Sequence, residues 1–320
     1  MTRFILVGLW LALVSPALAE PIAIRSERIA LDRRDASHVT VGRVTFLSGL
    51  VLSGSASAWG GFSGMTITPD GSSLLAVADT GLWLRMRLVH DSQSRLVGVS
   101  DGQLSPLLDE SGSPLATKWL SDAEAVARDT DGSLLVAFER RHRVWRYRAG
   151  DDPAKARPAA VETPPALASL PPNSGIEALV VLPPDSLLLL SEGVANPSGD
   201  IRGWLRQGRK WSEISLAPSS SFAPTDMALL PNGDVLLLEH HFGILGGIRA
   251  RLSILLAADL RPGARLVGRE VAVLQQPLNV DNFEAVAARR APHGGTLIYL
   301  LSDDNQSPLQ RTLLYQFQLD

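Results

Sequence analysis

One local unit recurs five times in this chain: an apolar run, a turn and a second apolar run, with a polar residue at each end. The copies run from Gly61-Phe62-Ser63-Gly64 through Asp70-Gly71 to Ala78-Asp79, and from Asp122-Ala123-Glu124-Ala125 through Asp131-Gly132 to Phe138-Glu139. They continue from Gly175-Ile176-Glu177-Ala178 through Pro184-Asp185 to Ser191-Glu192, and from Pro224-Thr225-Asp226-Met227 through Asn232-Gly233 to Leu238-Glu239. The last runs from Asn282-Phe283-Glu284-Ala285 through Gly294-Gly295 to Ser302-Asp303. Only the first copy lacks a leading acid, with Ser63 in its place. A hairpin brings the chain back to the edge it left, so both ends of each copy share one side of a sheet.

The leading positions Ser63, Glu124, Glu177, Asp226 and Glu284 are 61, 53, 49 and 58 residues apart. Propeller blades repeat at roughly 40–50 residues, and loop insertions lengthen the interval. Asp-Gly and Asn-Gly turns favour hairpins. The runs that follow them are nearly continuously apolar, as inner strands packed on both faces must be. Glu177 to Leu182 and Glu284 to Arg289 also read as short helices, but the five-fold regularity favours strands. Outer strands are expected at 201–206, 211–216, 248–256 and 265–274. The last copy is followed only by material at 312–319, while residues 39–53 carry strand-like sequence before the first copy. The expectation is a single all-β propeller of five blades, with an N-terminal strand completing the last blade and so removing exposed edges. A sixth blade, built from residues 22–53 and the C-terminus, is the alternative.

Composition narrows the function. The 320 residues carry a formal charge of −3, which leaves no basic footprint for nucleic acid. There is no cysteine, so disulfides, thiolate metal sites, a cysteine nucleophile and a lipidated N-terminal cysteine are all excluded. Residues 1–19 read as a secretory signal: Arg3, an apolar stretch from Phe4 to Val14, and Ala17-Leu18-Ala19 before Glu20. The apolar stretch is too short to span a bilayer. The reading is therefore an exported, periplasmic protein whose mature domain covers residues 20–320 without a membrane span. The Pro- and Ala-rich stretch 153–172 reads as a connection between blades.

Several motifs resemble the phytase-like family named for an "esterase-like activity of phytase". They include Trp59-Gly60-Gly61-Phe62-Ser63-Gly64-Met65, Ser121-Asp122-Ala123-Glu124-Ala125, Asn173-Ser174-Gly175-Ile176-Glu177-Ala178-Leu179, Asp281-Asn282-Phe283-Glu284-Ala285 and Leu301-Ser302-Asp303-Asp304-Asn305. The likeness covers about residues 40 to 320 in the family's order. It implies a β-propeller of exported bacterial proteins and an ester- or phosphoester-directed activity. Two places depart from the commoner pattern. Thr80 follows Asp79 where arginine is usual, and His240-His241 follow Glu239 where two arginines are frequent.

If the copies stack about an axis, about nine carboxylates reach one rim, where like charges repel unless something neutralises them. Calcium takes six to eight oxygens from Asp, Glu, Asn and carbonyl groups and would fit such a rim. Arginine and lysine partners are a second solution, with Arg140, Lys118, Arg202, Arg85 and Arg311 as candidates. Carboxylates that accept N–H bonds from the next blade are a third. On the first solution Asp79, Glu139, Glu192, Glu239, Asp303 and Asn282 are candidate ligands of a divalent cation, and Glu124, Glu177, Glu284 and His240 are candidate catalytic groups. Gly61-Phe62-Ser63-Gly64 falls short of a nucleophile elbow, because position 65 is Met. The six histidines lack zinc-motif spacing. The function expected is metal-assisted hydrolysis of small-molecule phosphate or carboxylic esters at the mouth. A non-catalytic propeller that binds a ligand or protein partner, and a metal-dependent sugar-lactone hydrolase, are the alternatives.

Overall fold

A computed structural model describes residues 19–243 and 247–319; all of the expected signal except Ala19 lies outside them. Each repeat unit is a hairpin of two strands, extended outward by further strands into a blade. The five sheets form a five-bladed propeller. Blade 1 holds Phe62–Ile67, Ser73–Ala78, Leu82–His90 and Leu96–Pro106, with Glu20–Ile22 along its outer edge. Blade 2 holds Ala123–Arg128, Leu134–Phe138, Arg143–Tyr147 and Ala159–Val161. Blade 3 holds Ile176–Leu182, Ser186–Ala195, Ile201–Gln207 and Lys210–Leu216. Blade 4 holds Ala223–Leu229, Val235–Gly243, Gly247–Leu255 and Arg269–Leu274. Blade 5 holds Asn282–Arg290, Thr296–Asp303 and Thr312–Leu319, followed by Val44–Gly54 and Ile24–Arg28.

Closure follows the sequence reading. Val44–Gly54 pairs antiparallel with Thr312–Leu319, so the N-terminal chain supplies the strand the last blade lacks. A sixth blade does not form, because the strands before residue 30 add to the edges of blades 1 and 5 instead. The stretches at Glu177 and Glu284 are strands, not helices. The expected strand 265–274 is split. Arg265–Leu266 pairs in parallel with the outer strand of blade 3, and Arg269–Leu274 completes blade 4. Pro262-Gly263 comes just before that excursion, and Arg265 reaches Asp200 of blade 3 with Nε at 2.8 Å and a second N–H at 3.0 Å.

Side chains alternate across a strand, so each inner hairpin feeds two cores. Leu74, Ala76 and Ala78 face blade 5, while Leu75 and Val77 face blade 2. Five apolar clusters result, one at each interface between neighbouring blades. This explains the unbroken apolar runs: Leu187 to Leu190 and Val235 to Leu238 are buried on both faces. Trp83, Trp145 and Trp204 are also buried at these interfaces. The hairpin turns use the expected glycines, with φ of 77° at Gly71 and 92° at Gly233. The five inner strands stand around the axis with every leading end on the same side. At the other end, a mostly apolar cavity of about 290 Å³ is lined by groups such as Met65, Ile67, Val126, Val180, Met227 and Val286, with Arg128 and Asp129 among them.

Candidate functional site

A β-bulge at the head of the inner hairpins sets which side chains enter the mouth. Pairing skips one residue between Phe62 and Gly64, Ala123 and Ala125, Ile176 and Ala178, and Phe283 and Ala285. The skipped residues are Ser63, Glu124, Glu177 and Glu284. A bulge re-aims its extra residue, and strand ends next to sites are common places for one.

Blade 4 carries the same bulge, but the skipped residue is Thr225, between Pro224 and Asp226. Asp226 pairs with Leu238, the position held by Ala125, Ala178 and Ala285 in other blades. Asp226 is thus one residue out of the leading column. Its side chain is fully buried and bonds backbone, taking Met227 N at 2.8 Å and, in blade 5, Val286 N at 2.7 Å. Burial holds its carboxyl well above the usual carboxylate range.

The trailing column shifts in register with it. Asp79, Glu139, Glu192 and Asp303 each come at or just past the end of the inner pairing, whereas Glu239 pairs with Pro224 inside it. Glu239 is 1% exposed and already engaged, with Arg251 at 3.0 Å, Ser253 Oγ at 3.0 Å and Ser219 Oγ at 2.5 Å. His240 holds the trailing position of blade 4. Without Asp226 and Glu239, the two columns bring seven carboxylates to the mouth, from Asp79, Glu124, Glu139, Glu177, Glu192, Glu284 and Asp303.

Some of these acids also tie blades together. Gly61 N of blade 1 donates to Asp303 Oδ1 of blade 5 at 2.8 Å. Gly175 N of blade 3 donates to Glu139 Oε1 of blade 2. Asp79 takes Lys118 Nζ at 2.5 Å, and Lys118 also pairs with Asp122. Asp122 is 2% exposed and takes Arg140 Nε at 2.5 Å as well. Gly61 has a packing reason to be glycine, since a Cβ there would stand 2.3 Å from Asp79 Oδ1.

The rest of the mouth is crowded with like charge. One carboxylate oxygen each from Asp122, Glu124 and Glu139 lie within 4.8 Å of one another. Burial first, then the Asp122 carboxylate, pushes the Glu124 carboxyl well above its ordinary value. Burial does the same to Glu177, helped by Glu124, Glu139 and Glu192. Asp122 stands beside Glu124, and Glu139 beside Glu177, so ionising both members of either pair is disfavoured. Burial also raises Glu192, with Glu139 and Glu284 adding to it, and lifts Asp303 to about 7.

Across the mouth, His240 bridges two acids. Its Nδ1 is 3.0 Å from Glu284 Oε1 and its Nε2 is 3.8 Å from Glu192 Oε1. Asn282 Nδ2 donates to the same Glu284 oxygen at 2.6 Å. Burial pulls the His240 imidazole down, but the bond to Glu284 and the field of Glu192 prevail, and the net shift is upward. Ser63 is buried, its Oγ 3.4 Å from Gly61 O, with no histidine among its hydrogen-bond partners.

The chain therefore brings together Glu124, Glu139, Glu177 and Asp122 on one side, and His240, Glu284, Glu192 and Asn282 on the other. Asp79 and Asp303 sit at the blade 1 side, and Glu239 lies apart. The repeat pattern alone does not single out Asp122 as a ligand, although it lies two residues before a leading acid. Counting from the turn does not settle the register of blade 4: Glu139 is seven residues beyond Gly132 and His240 seven beyond Gly233, but Asp79 is eight beyond Gly71.

No curated protein matches the chain. Among solved structures, an α-L-arabinofuranosidase from Podospora anserina, determined with cellotriose, superposes with a TM-score of 0.52 at 10% identity, covering 87% of this chain and 97% of its own. A gluconolactonase from Xanthomonas campestris gives a TM-score of 0.43 at 12% identity, covering 96% and 99%. At such identities only the propeller architecture is shared. The family model described as "Phytase-like: Esterase-like activity of phytase" matches residues 57–306, which span the inner hairpins of all five blades. The chain belongs to the phytase-like family.

Proposed function

We propose that this protein is an exported hydrolase of phosphate or carboxylic esters, assisted by a divalent cation at the propeller mouth. The observation that carries this reading is the convergence of Asp122, Glu124 and Glu139 oxygens within 4.8 Å, beside carboxyls that keep protons against their ordinary tendency. Calcium–oxygen distances of about 2.3–2.6 Å let ligands lie up to roughly 5 Å apart across the ion. The donor set is hard oxygen throughout, which suits calcium. Glu124, Glu139 and Asp122 would hold the ion, with Glu177 adjoining, and Lys118 would give up its place on Asp122. When bound, such an ion polarises an ester or phosphoryl oxygen and lowers the pKa of water.

The chain's own residues supply proton transfer and orientation. Asn282 and Glu284 fix the His240 ring, so Nδ1 faces Glu284 and Nε2 faces Glu192 across the mouth. A protonated imidazole in that position can donate a proton to a leaving oxygen. The cavity at the far end of the channel is mostly apolar, and the one carboxylate among its lining residues, Asp129, is tied to Arg146 at 2.6 Å, which supports placing the chemistry at the mouth.

The test is hydrolysis of nitrophenyl phosphate and nitrophenyl carboxylic esters with added calcium and then with a chelator. Glu124→Gln is expected to abolish the calcium-dependent rate. His240→Ala is expected to lower kcat about 10²–10⁴-fold, the ordinary range for a general acid. Turnover unaffected by chelator and by both substitutions would overturn the reading. The export assignment is tested separately, by cell fractionation and sequencing of the mature N-terminus, expected at Glu20.

A further inference from the structure

The mouth has a basic neighbour. Between blades 4 and 5, a cavity of about 310 Å³ is lined by Arg33, Arg34 and Arg311, with the segment from Gln276 to Val280 as its floor and wall. No carboxylate is among its lining residues. The larger cavity on blade 2, about 760 Å³, mixes Arg146, Arg148 and Lys155 with Asp131, Asp151 and Asp152, so its charges offset one another.

Two of the three guanidinium groups are held in place. Arg33 Nε donates to Asn279 Oδ1 at 2.5 Å, and Asn279 is itself 3% exposed and anchored by Nδ2 to Ala30 O at 2.8 Å. Arg311 is fixed to Asp281 Oδ2 through both its backbone N, at 3.2 Å, and its Nε, at 3.3 Å. The guanidinium of Arg34 has no partner among the described residues; only its backbone N is bonded, to Asp32 Oδ1. Each guanidinium presents five N–H donors in a planar fork, and most of these remain free. Asp281 offsets the charge of Arg311, but no carboxylate among the described residues pairs with the guanidinium of Arg33 or Arg34, and these two repel one another unless an anion joins them. Planar forks are matched by tetrahedral dianions that accept several bonds at once.

We propose that this pocket is a phosphate-binding site, taking inorganic phosphate or the phosphoryl group of a monoester, separate from the mouth and independent of any reaction there. Arg33 and Arg311 form its fixed walls and Arg34 closes over the anion.

Calorimetric titration with inorganic phosphate, and with phenyl phosphate, tests this on the full mature chain in chelator, so that no cation at the mouth can hold the anion. Saturable binding is expected for either phosphate, with acetate at least tenfold weaker. Arg34→Ala is expected to weaken phosphate binding about tenfold and Arg33→Ala with Arg34→Ala to abolish it, while Arg34→Lys recovers only part, because lysine restores charge without the fork. Lys155→Ala and Glu177→Gln are expected to leave the affinity unchanged. Arg33 and Arg34 are exposed, and thermal melting would verify that the variants remain folded. Absence of saturable binding, equal affinity for acetate, or undiminished binding in the double variant would overturn the assignment.

Discussion

Asp226 shows how a single residue of register separates a structural acid from a channel-facing one. Its carboxyl is fully buried and accepts N–H bonds from Met227 and from Val286 in the next blade. Asp226→Ala leaves two buried N–H groups unpaired, so a loss of about 2–4 kcal/mol is expected in chemical denaturation, whereas Asp226→Asn keeps an accepting oxygen and costs less. Equal losses in the two variants would show that the oxygen is not what matters. The acid itself is plain in the sequence; its facing is not, because one bulge displaced by a residue reverses which way a side chain points. His240 is the converse case. Its upward shift rests on Glu284, so Glu284→Gln is expected to lower the His240 pKa, read from its ring-proton NMR titration, while Glu239→Gln leaves it in place.

Among elements, the closing strand carries the most weight. Val44–Gly54 lies between Thr312–Leu319 and Ile24–Arg28, and buries Leu50 and Leu52 completely or nearly so. A chain truncated to begin at residue 55 is expected to aggregate, because it bares the full edge of Thr312–Leu319 and opens the core between blades 5 and 1. A chain beginning at residue 40 keeps the closing strand, and is expected to stay soluble with a lower melting temperature. Equal solubility of the two, compared by sedimentation, would contradict the closure account. This much is legible from a shortage of strands after residue 303 set against a surplus before residue 54. The excursion of Arg265–Leu266 to blade 3 is not, because a two-residue parallel pairing leaves no periodicity to read. Long-range contacts hold it there: the Arg265–Asp200 ion pair and the burial of Leu266 in the core between blades 3 and 4.

For the molecule as a whole, the mouth ties stability to pH and, on the proposed function, to cations. The folded protein holds protons on Glu124, Glu177, Glu192 and Asp303 that an unfolded chain gives up above about pH 4. Raising the pH through the folded values therefore withdraws stability, at most roughly 1.4 kcal/mol per group for each pH unit crossed. The loss is smaller at Glu192, whose partly exposed side chain is screened by solvent. His240 acts in the same direction: its raised value gives stability below about pH 6.5 that is lost as pH rises through the folded pKa. Without a divalent cation, the melting temperature is expected to fall between about pH 5 and pH 8. Added calcium is expected to restore more at the upper end, where the carboxylates would otherwise face one another ionised. A cation that enters the mouth competes with the protons that burial favours on Glu124 and Glu177, so binding and proton release are linked. The most direct test is calorimetric titration of the metal-free protein with calcium near neutral pH, in buffers of different ionisation enthalpy. Saturable binding with net proton release, lost when Glu124→Gln is combined with Glu139→Gln, is the result expected. Absence of saturable binding, or binding that survives the double substitution with no protons released, would contradict the account.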